Sequence, residues 1–220
     1  MRLRQSIVLI LLGNIIFFGC LASGAGAEEA QHSWGIGIRG GFSSFAKEIS
    51  NVNELEGETG GVFNGLAIYE LTDSLSFGLE VEWDQHAISK GTLSYGKVAS
   101  LSLLLPFEFH MAKTEKVSPY CMLACGYTFN QFKESQSFKD AYGPRAYIEL
   151  DNAYMVKSGL GIDMFFLSET VAINLEAGMS YSIGGMHIVG DTVDGRDDYN
   201  RSVLFLVMGF RYYLPDSSFP

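Results

Sequence analysis

Apolar and polar residues alternate along most of the chain from Trp34 onward, which is typical of β-strands with two different faces. In the clearest segment, 75–84, every odd position is large and apolar and every even position is small or polar. A second clear segment covers 171–183, and weaker alternation occurs at 34–44, 62–71, 95–109, 119–130, 153–165 and 201–214. These segments predict an all-β fold with eight strands.

The segments between the predicted strands differ in length. Two are short (72–74 and 166–170), two are intermediate (86–94 and 110–118) and three are long (45–61, 131–152 and 184–200). Short turns on one rim and long loops on the other are typical of outer-membrane barrels. We therefore predict an eight-stranded antiparallel up-and-down transmembrane β-barrel. The first and last strands are expected to pair, because a sheet that spans a membrane cannot keep a free edge.

Side-chain size favours a membrane barrel over a soluble sandwich or a lipocalin-like barrel, whose strands would also alternate. The apolar faces carry bulky residues, whereas the polar faces carry glycines, serines and charged residues. Aromatic residues gather near the predicted strand ends, as in the interfacial girdles of membrane barrels. On the short-turn side they are Trp34, Tyr69, Phe77, Phe107, Phe109, Phe165 and Tyr212, and on the long-loop side Phe42, Trp83, Tyr95, Tyr127, Phe129 and Tyr181.

The start of the chain has the three-part layout of a secretory signal peptide. Arg2 and Arg4 precede an apolar run that ends at Cys20, and small residues follow as far as Ala27, after which we predict cleavage. Lipidation of Cys20 is the alternative. The predicted location is the cell outer membrane. The predicted organisation is a signal peptide at 1–27, a short segment at 28–33, the barrel at 34–214 and a tail at 215–220.

Charge and cysteine content narrow the expected partners. The formal net charge of −10 argues against nucleic acid, because binding phosphates requires a cationic face. Cys121 and Cys125 lie about 14 Å apart along one predicted strand, too far for a disulfide, so we interpret them as small apolar side chains. The expected partners are outer-membrane lipid, lipopolysaccharide and the outer-membrane assembly machinery. The external ligand stays open, no cofactor is expected, and the chain is expected to be monomeric.

Charged residues on the inward faces of the predicted strands should meet across the lumen. Buried charges are tolerable only when they are paired and hydrogen-bonded. The main hypothesis is therefore a structural plug that fills a narrow barrel, and the alternative is a gated ion or proton path. The expected pairs are Arg39 with Glu80 and Glu176, Arg211 with Glu108 and Asp163, and Lys157 with Glu82 or Asp84.

An enzymatic interpretation is the weakest alternative. Some outer-membrane barrels carry hydrolase sites with a serine and a histidine near the external rim. The candidate pairs here are His86 with Ser89 and His187 with Ser182, and neither lies in a recognisable motif. The acidic run at 191–198 lacks the spacing of a calcium-binding loop, and the histidines lack metal-ligand spacing. We predict neither enzymatic activity nor a metal site.

Several short motifs resemble those of small outer-membrane barrels in Gram-negative cells. They are Ser118-Pro119-Tyr120, Ala124-Cys125-Gly126-Tyr127, Gly159-Leu160-Gly161-Ile162-Asp163, Asn174-Leu175-Glu176-Ala177-Gly178 and Gly209-Phe210-Arg211-Tyr212-Tyr213-Leu214. Together they resemble the OmpX, OmpW and OmpA-barrel group of porin-like proteins over 34–214. Two features depart from that group. The last strand ends in Leu214 where phenylalanine is usual, and a peptidoglycan-binding domain of the OmpA kind is not expected.

The predicted function is a structural or surface-interaction role, similar to adhesion, through the long external loops 45–61, 131–152 and 184–200. Loops held by a rigid scaffold are where binding residues concentrate. The alternative is a small porin-like channel or a carrier for small or hydrophobic molecules, which the resemblance to OmpW implies. A lipid-modifying enzyme is the third hypothesis.

Overall fold

The computed structural model describes residues 33–46, 55–114, 116–166, 170–191 and 193–214. The predicted signal peptide, its cleavage site, the lipidation alternative at Cys20 and the tail 215–220 lie outside the described residues. The strands are β1 (Trp34–Phe45), β2 (Glu56–Gly57), β3 (Gly60–Thr72), β4 (Leu75–Lys90), β5 (Leu93–His110), β6 (Val117–Glu134), β7 (Tyr147–Leu150), β8 (Ala153–Phe166), β9 (Val171–Gly190) and β10 (Val193–Tyr213), and the helix is α1 (Gln136–Tyr142).

The long strands form a closed antiparallel ring in the order β1-β3-β4-β5-β6-β8-β9-β10. Closure runs from Gly35 opposite Tyr213 to Phe45 opposite Val203. Every spanning strand therefore has two neighbours, as the low polarity of a bilayer demands. The predicted eight-stranded up-and-down barrel, including the pairing of its first and last strands, is confirmed. Within the described part of the chain, no helix has the length and apolar character needed to cross a membrane.

The strand alternation separates an apolar outer face from a polar inner face. Leu79 is 50% exposed and Leu206 is 52% exposed on the outer face, whereas inward Ser76 and Ser102 are buried. An outer face of this kind suits hydrocarbon and not water. Most of the predicted girdle aromatics are on this face, and Trp34, Phe77, Phe42, Trp83 and Phe129 are examples.

Two girdle assignments are wrong, because both side chains point into the barrel. Tyr95 is buried inside the external mouth. It lies beyond a register irregularity after Ile88, next to Gly96 with a φ of 148°, so the period of two is interrupted there. Phe165 has the same inward parity as Asp163, and its ring lies 5.6 Å from that of the inward residue Tyr213.

The external strands are longer than the sequence pattern predicted. The predicted loop 184–200 is strand on both sides of a short turn, because β9 ends at Gly190 and β10 begins at Val193. The segment 86–94 shrinks to a two-residue turn in which Gly91 has a φ of 56°, a left-handed conformation that favours glycine. Outside the membrane neither face needs to be apolar. Backbone pairing therefore continues where the alternation of side chains stops.

Candidate functional site: a charged lumen beneath an apolar cap

Arg39 of β1 lies at the centre of the lumen and connects opposite sides of the ring. Its Nη2 is 2.7 Å from Glu80 Oε2 on β4, and its Nη1 is 2.5 Å from Glu176 Oε2 on β9. Its Nε donates to Asn64 Oδ1 at 2.8 Å. All four side chains are buried. The two contacts expected for Arg39 from strand parity are therefore both present.

Lys157 of β8 enters the same cluster from another direction. Its Nζ is 2.6 Å from Glu80 Oε1 and 2.7 Å from Glu82 Oε2. Glu176 Oε1 lies 3.8 Å from this ammonium group and accepts no hydrogen bond from any described residue. Of the two partners expected for Lys157, Glu82 is in contact with it and Asp84 is not. Glu80 is a further contact that was not expected. Asp84 is bound by a different cation.

Arg211 of β10 organises the part of the lumen nearest the short turns. It forms a two-pronged contact with Glu108, at 2.8 Å and 2.6 Å, and a contact with Asp163 at 3.0 Å. Its Nη2 also donates to the Tyr120 hydroxyl at 2.9 Å, and its guanidinium carbon is 4.8 Å from the centre of the Tyr120 ring. The Tyr213 hydroxyl donates to Asp163 at 2.8 Å. These contacts satisfy a charge that would otherwise be costly to bury.

Sequence reasoning missed Arg201 of β10. Its two terminal nitrogens lie 3.0 Å from the two carboxylate oxygens of Asp84, and it donates to Ser100 Oγ at 2.8 Å. The parity of β10 contained the signal, because Arg201 is separated from Arg211 by an even number of positions and must share its inward face. We define the lumen network as Arg39, Glu80, Glu82, Asp84, Glu108, Lys157, Asp163, Glu176, Arg201 and Arg211.

An apolar cluster fills the external mouth above this network. We call it the apolar cap, and it consists of Leu55, Ile88, Tyr95, Val98, Phe138, Ala146, Ile148, Leu150, Met186, Ile188 and Tyr199. Most of these residues are on the inward faces of the external strand ends, and Phe138 comes from α1. The ring of Phe138 is fully buried and lies 5.3 Å from that of Tyr95 and 4.9 Å from that of Tyr142.

The short helix α1 is held in the mouth by its own N-cap. Ser135 Oγ accepts a hydrogen bond from the Phe138 amide at 3.0 Å and donates to the Ser94 carbonyl of β5. Ser135 thus caps the helix and fixes it to the barrel wall. The Tyr95 and Tyr142 hydroxyls add a hydrogen bond of 2.7 Å. The segment predicted as the loop 131–152 is therefore largely a packed closure of the barrel.

No protein-family model and no curated protein sequence matches this chain. The crystal structure of outer membrane protein OprG from Pseudomonas aeruginosa matches with a TM-score of 0.66 and 17% identity, covering 86% of this chain and 99% of that one. The solid-state NMR structure of outer membrane protein AlkL in DMPC lipid bilayers matches with a TM-score of 0.51 and 11% identity, covering 87% and 94%. The chain has the fold of small outer-membrane β-barrel proteins. The fold that the motif resemblance implied is thereby confirmed.

The serine and histidine pairs considered for an enzymatic outer-membrane barrel do not form. His86 Nδ1 lies 3.0 Å from the Glu58 carbonyl, so this nitrogen donates, and Nε2 accepts from the Ser43 hydroxyl at 3.1 Å. His187 Nε2 is 2.9 Å from Asp194 Oδ1 and does not bond to Ser182. Ser43 and His86 are both buried, and they attach the segment after β2 to the inner wall. Among the described residues, no group of three or more His, Cys, Asp or Glu side chains could hold a metal ion.

One cavity of about 610 Å³ lies at the wall of this outer-membrane barrel fold, between β6, β8, β9 and β10. It is bounded by the inward side chains of Met122 and Phe205 and by the exposed outer-face side chains of Leu160 and Leu204. The wall carries no side chain where Gly159 faces Gly178. Phe205 packs behind these two glycines, and most of the other residues that line the cavity are apolar.

Proposed function

We propose that the protein resides in the outer membrane and holds a closed, folded platform at the cell surface for contacts with external partners. The proposal is supported above all by one observation, the filling of the barrel interior by the lumen network and the apolar cap. An eight-stranded barrel has an interior just wide enough for side chains to fill. Here ion pairs occupy much of the membrane-spanning part of the interior, and the apolar cap fills the external mouth.

The external hairpin formed by β9 and β10 supports the surface role. It continues past the point where β1 ends opposite Val203, so it projects beyond the closed ring. Asp194 and Asp198 are exposed on it, accompanied by a single exposed arginine, Arg196, among the described hairpin residues. An acidic projection favours a cationic partner, because complementary charge speeds encounter and selects against like-charged surfaces.

The closed lumen predicts very low ion conductance. In planar bilayers, the purified protein should give no steady single-channel steps under conditions in which a general porin conducts. The physical reason is that Arg39, Lys157 and Arg211 are buried across the lumen and held by carboxylates, so a passing ion would have to break these pairs. Regular steps of porin size from fully folded protein would contradict a closed platform and would favour the channel hypothesis.

Binding to a cationic polymer tests the platform. We expect the protein, in nanodiscs of zwitterionic lipid, to bind oligolysine in a salt-sensitive way, and D194N/D198N to weaken this binding at least several-fold. The measurement is the dissociation constant by surface plasmon resonance. The matched control is Asp73→Asn, which removes an exposed carboxylate at the opposite rim and should leave binding unchanged. Equal affinity of the double variant and the wild type would exclude the hairpin as the contact surface.

Passage of apolar molecules is the second candidate, and the cavity at the wall favours it. A compound that partitions into the bilayer could enter this space between Leu160 and Leu204 without crossing the charged lumen. Uptake of a hydrophobic fluorescent tracer into proteoliposomes separates the candidates, and Ala177→Trp, which adds bulk at an exposed lining residue of the cavity, should reduce uptake if the cavity is used. The enzymatic hypothesis requires a change in lipid A mass on expression, and the burial of Ser43 and His86 does not support it.

A further inference from the structure

Two lysines lie directly opposite each other on the outer face of neighbouring strands. Lys97 of β5 pairs in register with Lys133 of β6, and both side chains are exposed. Like charges at directly opposed positions of a sheet are destabilising. The third residue of this row, on β4, is the uncharged Ala87. An anion held between the two ammonium groups would offset this repulsion.

The lysine pair lies just beyond the external aromatic girdle. On the same outer face, Trp83, Leu101 and Phe129 form one row across β4, β5 and β6. Lys97 precedes Leu101 by four positions on β5, which corresponds to about 10 Å along the axis of a tilted barrel. Girdle aromatics lie at the level of the lipid headgroups, so a backbone position about 10 Å further out lies just above the headgroup layer, within reach of a lysine side chain that leans back along the wall.

No described residue neutralises these two ammonium groups. Within the described ranges, neither Lys97 nor Lys133 has an ion pair or a side-chain hydrogen bond. The only acidic residue next to either lysine in sequence is Glu134, and its Oε1 accepts from the Ile148 amide at 3.0 Å. The chain as a whole is acidic, with a formal net charge of −10. The lysine pair is thus a local region of positive charge on an acidic protein.

We propose that Lys97 and Lys133 bind a phosphate group of an outer-leaflet lipid, the phosphorylated headgroup of lipopolysaccharide. The two long side chains can lean along the barrel wall and bring their ammonium groups back to the headgroup level. A phosphate between them turns the cross-strand repulsion into two attractions and places the acyl chains of the same lipid against Leu101 and Phe129. The site goes beyond the proposed platform. Both depend on one assignment, which places the rim with the long loops at the outer leaflet.

Binding of purified lipid A tests the site. The folded full-length barrel in neutral detergent is incubated with bisphosphorylated lipid A, and bound lipid is counted by native mass spectrometry. Because each lysine near an anionic lipid surface contributes about 1 kcal/mol, K97Q/K133Q should lower the affinity about 30-fold. Lys116→Gln is the matched control, since Lys116 is exposed in the turn at the opposite rim. It should bind lipid A as the wild type does.

Two further arms identify the source of the anion. Lipid A without phosphates should bind weakly, and with equal affinity to the wild type and to K97Q/K133Q. Inorganic phosphate, added at the same phosphate concentration, should not displace bisphosphorylated lipid A from the wild type. Equal binding of dephosphorylated lipid A would show that only the acyl chains are recognised. Displacement by inorganic phosphate would show a general anion site. Either result overturns the proposal, whereas conductance and oligolysine binding by the platform would be unaffected.

The variant Lys97→Glu separates ligand binding from stability. It replaces the repulsive pair with an attractive one across β5 and β6, so the unfolding temperature in neutral detergent should be equal to or higher than that of the wild type. Its affinity for lipid A should nevertheless fall at least as far as that of K97Q/K133Q. Gel mobility before and after boiling verifies that each variant is folded. A folded Lys97→Glu protein that still binds lipid A with wild-type affinity would refute the site.

Discussion

Replacing Arg39 with leucine is expected to lower the free energy of unfolding by about 3–5 kcal/mol, because Glu80 and Glu176 would stay buried without their shared guanidinium partner. The lumen network already contains more carboxylates than cations. Lys157 would still contact Glu80, but Glu176 would keep only one cation of the network, the more distant Lys157, at 3.8 Å. The measurement is the fraction of protein that keeps its folded gel mobility as temperature rises in detergent. We expect this transition to move down by many degrees.

Arg196→Leu provides the matched control. Arg196 also forms an ion pair, with Asp151 at 3.1 Å, but the two side chains are 73% and 47% exposed. Exposed ion pairs contribute about 0–1 kcal/mol, so this variant should unfold close to the wild-type temperature. If Arg39→Leu unfolded at the wild-type temperature, the hypothesis that the network stabilises the barrel would be wrong. A stable Arg39→Leu protein that also conducts ions would instead favour the gated path considered from the sequence.

Strand parity was enough to predict the centre of the lumen. Arg39, Glu80 and Glu176 are on inward positions at similar distances from the short turns, and a closed ring brings such positions together. Parity could not assign Asp84, because two inward cations, Lys157 and Arg201, lie within reach of its level, and which of them binds depends on strand tilt and stagger. Tilt and stagger come from the register of all the strands around the ring, which no single segment of sequence encodes.

The external part of the molecule was predicted less well for a physical reason. Within hydrocarbon, the outer face must be apolar, so every strand carries a visible period of two. Beyond the girdle this requirement ends, and the 184–200 segment contains strands whose polar outer faces resemble a loop. The same loss of signal hid the apolar cap. Its inward residues, such as Ile148 and Ile188, are separated in sequence and meet only because β7 pairs with β9.

Replacing Phe138 with alanine is expected to open the apolar cap while leaving the membrane barrel folded. A fully buried phenylalanine contributes about 3–5 kcal/mol relative to alanine, and nearly all contacts of Phe138 are within the cap. A loss of about 3 kcal/mol raises the population of the open external end about 100-fold, because each 1.4 kcal/mol is a factor of ten. The measurement is the initial rate of protease cleavage in the 131–152 segment of protein held in nanodiscs, which follows this population when cleavage is slow.

Tyr147→Ala is the matched control, because Tyr147 is on β7 next to Ile148 but is 45% exposed, so its loss leaves no cavity in the cap. We expect its cleavage rate to stay near that of the wild type, and both variants should keep the gel mobility of folded barrel before boiling. The Phe138→Ala protein should still conduct no ions, because the ion pairs of Arg39 and Arg211 close the lumen independently of the cap. Rapid cleavage of Phe138→Ala, with a barrel that stays folded and does not conduct, would show that the two parts are stabilised separately. The membrane-spanning part would be closed by ion pairs, and the external platform would be held by apolar packing. If both variants were cleaved at the wild-type rate, the cap could not be what orders the external end.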